Sequence, residues 1–290
     1  MHMKQEKPIR TGIIILLAIV VIAFFTSLGR RPVHVPEAIR PDSPFTYSFK
    51  IDGILREAGS ESETTSPYWW VNSGGALLIK DGMGLTLQGA EPKFDSWRLR
   101  YVRANADDTD NGYHPQNLFR LISRSPWKNP SIETSFLIVR DNLSTSTNRN
   151  ESNGLLLMSR YALDGQTLYY AGVRVDGTAV IKKKYHGTYY TMAQKQVFDG
   201  TYDRDSSPNL LPHGEWITLR SDTVSGQDGT TITLFMRRSS ETGWTKLLTA
   251  ADDGTHYDGT PDITESEQVG IRTDFMDVQF KDIRIQELNP

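Results

Sequence analysis

Fourteen short runs of β-branched, aromatic and alternating residues, each closed by Gly, Asn or Asp, fill the chain from Pro44 almost to its end. They fall at 45–51, 76–80, 84–88, 97–103, 117–122, 131–140 and 154–161, then at 168–175, 178–185, 188–194, 215–222, 230–238, 267–273 and 276–285. Such runs suit a pleated, half-buried surface, and the residues between them are turn formers. Beyond residue 29 no apolar stripe at helical spacing lasts longer than two turns. This many antiparallel strands in about 245 residues cannot stay as one open sheet. The pattern therefore predicts an all-β, jelly-roll-like sandwich of two packed antiparallel sheets, one domain over 44–290. Asp176-Gly177 and His186-Gly187 are each expected as two-residue hairpin turns.

The N-terminus is of a different kind. Thr11 to Gly29 carries no charge and stands between Arg10 and Arg30. At about 1.5 Å per residue it spans a bilayer core of roughly 30 Å. It is expected as an uncleaved membrane anchor within 1–31, followed by an extended linker at 32–43 that holds three prolines. The competing expectation is a cleaved signal peptide, with Lys4, Lys7 and Arg10 as its basic start. Both place the C-terminal domain outside the cytoplasm, at the cell membrane or secreted.

Charge narrows the partners. The formal net charge is −3, and residues 1–31 hold five basic side chains against Glu6, which leaves the remainder at about −7. Nucleic acid is not an expected partner, because phosphate binding needs a positive field or stripe. There are no cysteines, so the domain must rest on its core rather than on disulfides. A bacterial surface protein suits that composition.

Two segments carry a family resemblance. The run NGLLLMSRYALDGQTLYYAGVRVDGTAVIKKKYHGTYYTMA (153–193) resembles the central hairpins of the concanavalin A-like lectin/glucanase superfamily. The ending QVGIRTDFMDVQFKDIRI (268–285) is similar to that superfamily's terminal strands. The resemblance implies the concanavalin A-like jelly roll and, by default, recognition of a polysaccharide or cell-envelope glycan. It leaves chemistry open, since the superfamily includes lectins, carbohydrate-binding modules, glycoside hydrolases and polysaccharide lyases.

Catalytic chemistry on such strands has definite residue signatures. A retaining glycosidase of this fold usually sets two carboxylates on one strand face as E-x-D-x-x-E, and no run has that pattern. A lyase needs a Tyr or His as acid and base and a cation to neutralise the uronate carboxylate. Alternation puts Tyr170 and Arg174 on one face of 168–175, and Lys182 and Lys184 on one face of 178–185. It places Arg160 in phase with Met158, and sets Arg98 and Arg100 opposite Trp97, Leu99 and Tyr101. If these faces coincide they form a basic, tyrosine-dotted groove suited to an anionic glycan. In a lyase, Tyr170 would be the acid/base and Arg174 or Arg100 the carboxylate clamp. The plainer alternative is that these residues occupy the solvent side of a half-buried sheet.

Trp69 and Trp70, in a Ser/Gly-rich stretch, are candidate sugar platforms, and His186 is a candidate ligand contact in its turn. The histidines show no metal-binding spacing, and there is no G-x-S-x-G or phosphate-cradling loop. Structural calcium is the expected ion if there is one: Asp108 and Asp110 sit in an oxygen-rich loop before Gly112. Asp282 is a further calcium ligand only by the resemblance. Three functions stay open: a membrane-anchored polysaccharide-binding domain, a lyase of the same fold, and an adhesion or envelope-structural domain with a protein partner.

Overall fold

A computed structural model describes residues 34–290; the apolar stretch at 11–29 lies outside them. Among the described residues no helix is long and apolar enough to cross a membrane. Pro36–Pro290 forms one compact unit. Its start is tied down: the Arg124 guanidinium donates to Pro36 O at 2.8 Å, and Ser125 Oγ donates to Ile39 O at 2.8 Å.

The strands are β1 (Phe45–Tyr47), β2 (Gly53–Arg56), β3 (Trp69–Ser73), β4 (Ala76–Lys80), β5 (Met83–Leu85), β6 (Leu118–Ser123), β7 (Pro130–Asp141) and β8 (Gly154–Tyr161). They continue with β9 (Leu168–Arg174), β10 (Thr178–Tyr185), β11 (Thr188–Gln196), β12 (Trp216–Gly226), β13 (Gly229–Arg238), β14 (Thr245–Asp252), β15 (Gln268–Asp274) and β16 (Met276–Glu287). One sheet runs β14-β13-β12-β7-β16-β5-β4-β2, with β1 also on β16; the other runs β11-β10-β9-β8-β15-β6-β3. The expected all-β sandwich of two antiparallel sheets is what the chain forms.

The two sheets bury a core between them. Leu155, Leu157, Tyr169, Ala171, Val173 and Ile181 of the seven-stranded sheet face Ile132, Phe136, Leu219, Leu234, Val278 and Phe280 of the other. Alternate residues of the seven-stranded sheet point away from that core. Several of them, Trp70, Ile122, Leu156, Met158, Tyr170 and Val180, form a second apolar cluster on its outer face. That explains why β8 and β9 are buried along their whole length.

Three local departures from the sequence pattern have physical reasons. The run 97–103 is not a strand but part of helix α1 (Ser96–Ala104). Trp97, Leu99 and Tyr101 satisfy a period of two, yet Trp97 and Tyr101 are also four apart, and those two bury against Ala76 and Leu87. The Asp95 carboxylate tips the balance by accepting from the backbone N–H of Trp97 at 2.6 Å, a helix N-cap. Trp69 and Trp70 lie in strand β3 rather than in a loop, one on each face. The turn after β9 has three residues, 175–177, with Gly177 at φ +78°, whereas His186-Gly187 is the two-residue hairpin expected, both residues at positive φ.

Candidate functional site

The outer face of the seven-stranded sheet is read most simply in cross-strand rows. Hydrogen-bonded register aligns Lys182 (β10), Tyr170 (β9), Met158 (β8), Gly270 (β15), Ile122 (β6) and Trp70 (β3). The next row on the same face holds Val180, Gly172, Leu156, Arg272 and Arg120. Two glycines thin the floor. At Gly172 a Cβ would lie 2.1 Å from Leu155 O, so β8 and β9 approach closely only because no side chain is there.

This floor opens as a groove. Its main hollow, about 310 Å³, is floored by Tyr170 and Leu156, flanked by Lys182, Tyr189 and Arg272, and closed at one end by loop residues Asp108, Asn148, Asn150 and Asn153 with Asp274. A smaller hollow of about 40 Å³ shares Tyr170, Tyr189, Leu156 and Arg272 and extends to Arg120 and Lys184. The main hollow is of the size of small ligand sites. Trp70 and Ala58 cover the far end of the same face: Trp70 is buried and its indole N–H donates to Ala58 O at 3.0 Å.

The loop wall is fixed from within. Asp108 is buried and its carboxylate accepts from Ser146 Oγ, from Asn148 Nδ2 at 3.0 Å and from Asn105 Nδ2 at 3.0 Å. Burial opposes its charge, but those donors together hold it below the usual carboxylate range. Arg174 secures the neighbouring turn, donating to Glu151 O at 3.0 Å and Ser152 Oγ at 3.0 Å and lying 3.3 Å from Asp176. It shares its face with Tyr170 but is occupied in holding the wall.

The groups on the floor are far less engaged. Among the described residues the Tyr170 hydroxyl makes no hydrogen bond; burial pushes its pKa up, partly opposed by the charge of Arg272. Tyr189 stands edge-on to it, ring centroids 6.1 Å apart, and is exposed. Lys182 has no hydrogen-bond partner either, and burial first, then Arg174, lowers its pKa. Arg272 Nε donates to Asp274 Oδ1 at 2.7 Å, and its terminal nitrogens have no partner among the described residues. Burial works against the Arg272 charge, and Asp274 more than offsets that, raising its pKa. The second Asp274 oxygen is buried with no partner, and the next residue, Phe275, holds a left-handed backbone at φ +54°. Lys184 is more constrained, donating to Gly165 O at 2.8 Å with its ammonium 5.1 Å from the Tyr189 ring centre.

Of the residues singled out from sequence, Tyr170, Lys182 and Lys184 meet in this groove and Asp108 stands at its end. Others lie elsewhere. Arg100 and Arg98 are on α1: Arg100 is 3.2 Å from Glu57, and the Arg98 guanidinium is 3.4 Å over Tyr113. Arg160 is fully buried at φ +52° in a strand irregularity and donates to Thr264 O, Glu265 O, Asn129 Oδ1 and Ser225 Oγ. It braces the 262–266 segment instead of facing the hollow. Trp69 is buried in the inter-sheet core, edge-on to Tyr47 at 5.8 Å. His186 is exposed in its turn against Tyr185.

Asp110 pairs with His114 at 2.8 Å, and Asp282 is exposed in β16 where its register with β7 shifts. Among the described residues no three His, Asp or Glu side chains gather as a metal site. Arg272, Asp274, Tyr189, Arg120 and the asparagines were not singled out beforehand. Alternation alone could have found Arg272, which shares a strand face with Gly270 and Asp274 in QVGIRTD.

No family profile and no curated protein matches the sequence. Solved structures that resemble the chain are concanavalin A-like and galectin-like β-sandwiches. They include the carbohydrate-binding module CBM66 from Bacillus subtilis, at 11% identity over 76% of this chain and 95% of that one, TM-score 0.40. A Bacillus licheniformis β-glucanase matches at 8% identity over 86% of this chain and all of that one, TM-score 0.45. Winged bean acidic lectin in complex with methyl-α-D-galactose matches at 10% identity over 83% of this chain and 96% of that one, TM-score 0.47.

Proposed function

We propose that this domain binds polysaccharide along the outer face of its seven-stranded sheet. The observation that carries this is the groove itself. It offers two tyrosine rings, and its polar groups, the Tyr170 hydroxyl, the Lys182 ammonium and the terminal nitrogens of Arg272, lack partners among the described residues. A polyhydroxylated chain supplies both what rings stack on and what such groups bond to. The amide-rich wall adds donors and acceptors for ring hydroxyls. The sequence at 11–29 supports a membrane tether with this domain outside the cytoplasm, where an envelope or surface polysaccharide is within reach.

The lyase alternative has one observation in its favour, a tyrosine hydroxyl among cations. Burial keeps that hydroxyl protonated well into the alkaline range, which makes Tyr170 a donor to a bound sugar rather than a base poised near neutrality. The binding reading is therefore preferred. A glycan array probed with the full chain tests it: the expected result is retention on a defined set of polysaccharides, lost in Tyr189→Ala. No retention on any polysaccharide refutes it. Release of unsaturated sugars from a uronate polymer, abolished in Tyr170→Phe, replaces it with the lyase.

A further inference from the structure

We infer that the groove selects an acidic glycan, with the anionic group, a ring carboxylate or a sulfate ester, seated between Lys182 and Arg272 above the Tyr170 hydroxyl. This rests on the polysaccharide reading and adds the chemistry of the repeating unit. The main observation is a pair of like charges. Arg120 and Arg272 stand directly opposite each other on β6 and β15, on the same face. Like charges in that relation destabilise a sheet. Among the described residues Arg120 is served only by a long 3.4 Å bond to Asn72 Oδ1, and Arg272 only through Nε to Asp274.

Lys182 adds a third cation in the main hollow and Lys184 a fourth in the smaller one, against two carboxylates, Asp274 beside Arg272 and Asp108 held by its own donors in the loop wall. The domain as a whole is near −7, so this concentration of positive charge is not a property of its general surface. A bound carboxylate or sulfate would bridge Lys182 and the terminal Arg272 nitrogens and relieve the Arg120–Arg272 repulsion; such charge-assisted contacts are the strong ones.

Affinity electrophoresis of the full chain separates the outcomes. Gels carrying polygalacturonate, dextran sulfate, dextran or neutral galactan are compared. The expected result is retardation by an acidic polymer and not by its neutral counterpart, weakening with added salt. The polygalacturonate and dextran sulfate arms tell carboxylate from sulfate. Lys182→Met and Arg120→Gln should each reduce the affinity roughly tenfold or more, and Lys182→Arg should keep most of it. Two variants guard against a folding defect in one. Lys246→Met, an exposed lysine on the other sheet, should change nothing. Equal retardation by neutral polymers, or equal loss in Lys246→Met, overturns the acid site and leaves the groove. No retardation by any polymer removes the polysaccharide reading itself.

Discussion

The two faces of the seven-stranded sheet use the same residue types for opposite ends, and adjacent pairs make the contrast sharp. Tyr169 and Lys183 point inward; Tyr170 and Lys182 point outward. Inside, every polar group of the pair is bonded. Lys183 Nζ lies 2.7 Å from Asp252 and donates to Pro261 O at 2.8 Å and Thr260 O at 3.1 Å. Tyr169 donates to the same Asp252 at 2.6 Å and accepts from the Ile263 N–H. That network ties β9, β10 and β14 to the 260–263 segment. Outside, the tyrosine and the lysine have no hydrogen-bond partner among the described residues. Buried groups that are satisfied specify the fold, and groups left open in a groove are available to a ligand.

The largest effect should come from the inner network. Lys183→Met leaves Asp252 buried without its cation and is expected to cost about 3–5 kcal/mol, whereas Lys183→Met with Asp252→Leu should recover much of that. Denaturant unfolding measures both. If Lys183→Met alone costs no more than a surface change, the inner network is not holding the sheets.

The tyrosines should separate next. Tyr169→Phe strands two hydrogen-bonded groups and should cost about 1–3 kcal/mol, while Tyr170→Phe removes an unpaired hydroxyl and should stay within about 0.5 kcal/mol. Equal losses would erase the distinction between the faces. The lysines should differ in pH response. Lys182 holds its proton less tightly than an ordinary lysine, so binding of an acidic polymer should fall on the alkaline side while the fold persists. A binding profile flat to the ordinary lysine range contradicts this.

A further pH effect is expected away from the sheet. Burial, then Asp95, pushes Glu91 up to about 7. Its raised pKa contributes stability fully below the unfolded carboxyl value and loses it as pH rises through about 7. Glu91→Gln should therefore gain in Tm over the wild type from pH 5 to pH 8, with little difference at pH 4. A constant difference would show that the carboxyl is not proton-linked.

Much of this was legible in the chain. Period-two alternation located β8, β10 and most other strands, and it put Tyr170 with Arg174 and Lys182 with Lys184. Four short or ambiguous elements escaped it: β2, β3 and β14 have too little alternation to read, and α1 satisfies both periods until Asp95 caps it. Arg160 escaped for another reason. A positive φ in a strand irregularity moves its side chain off the face that alternation assigns, and no sequence signal marks that. Arg120, Arg272 and Asp274 come together only through the pairing of β6 with β15, across some 150 residues of chain.

The central claim is that the outer face binds polysaccharide through groups the fold leaves open. Isothermal titration of the full chain with oligogalacturonate, beside Lys182→Met and Tyr189→Ala, tests it most directly. The account predicts measurable binding by the wild type, weakened about tenfold (~1.4 kcal/mol) in each variant with Tm unchanged. Wild-type affinity retained in both variants would contradict it.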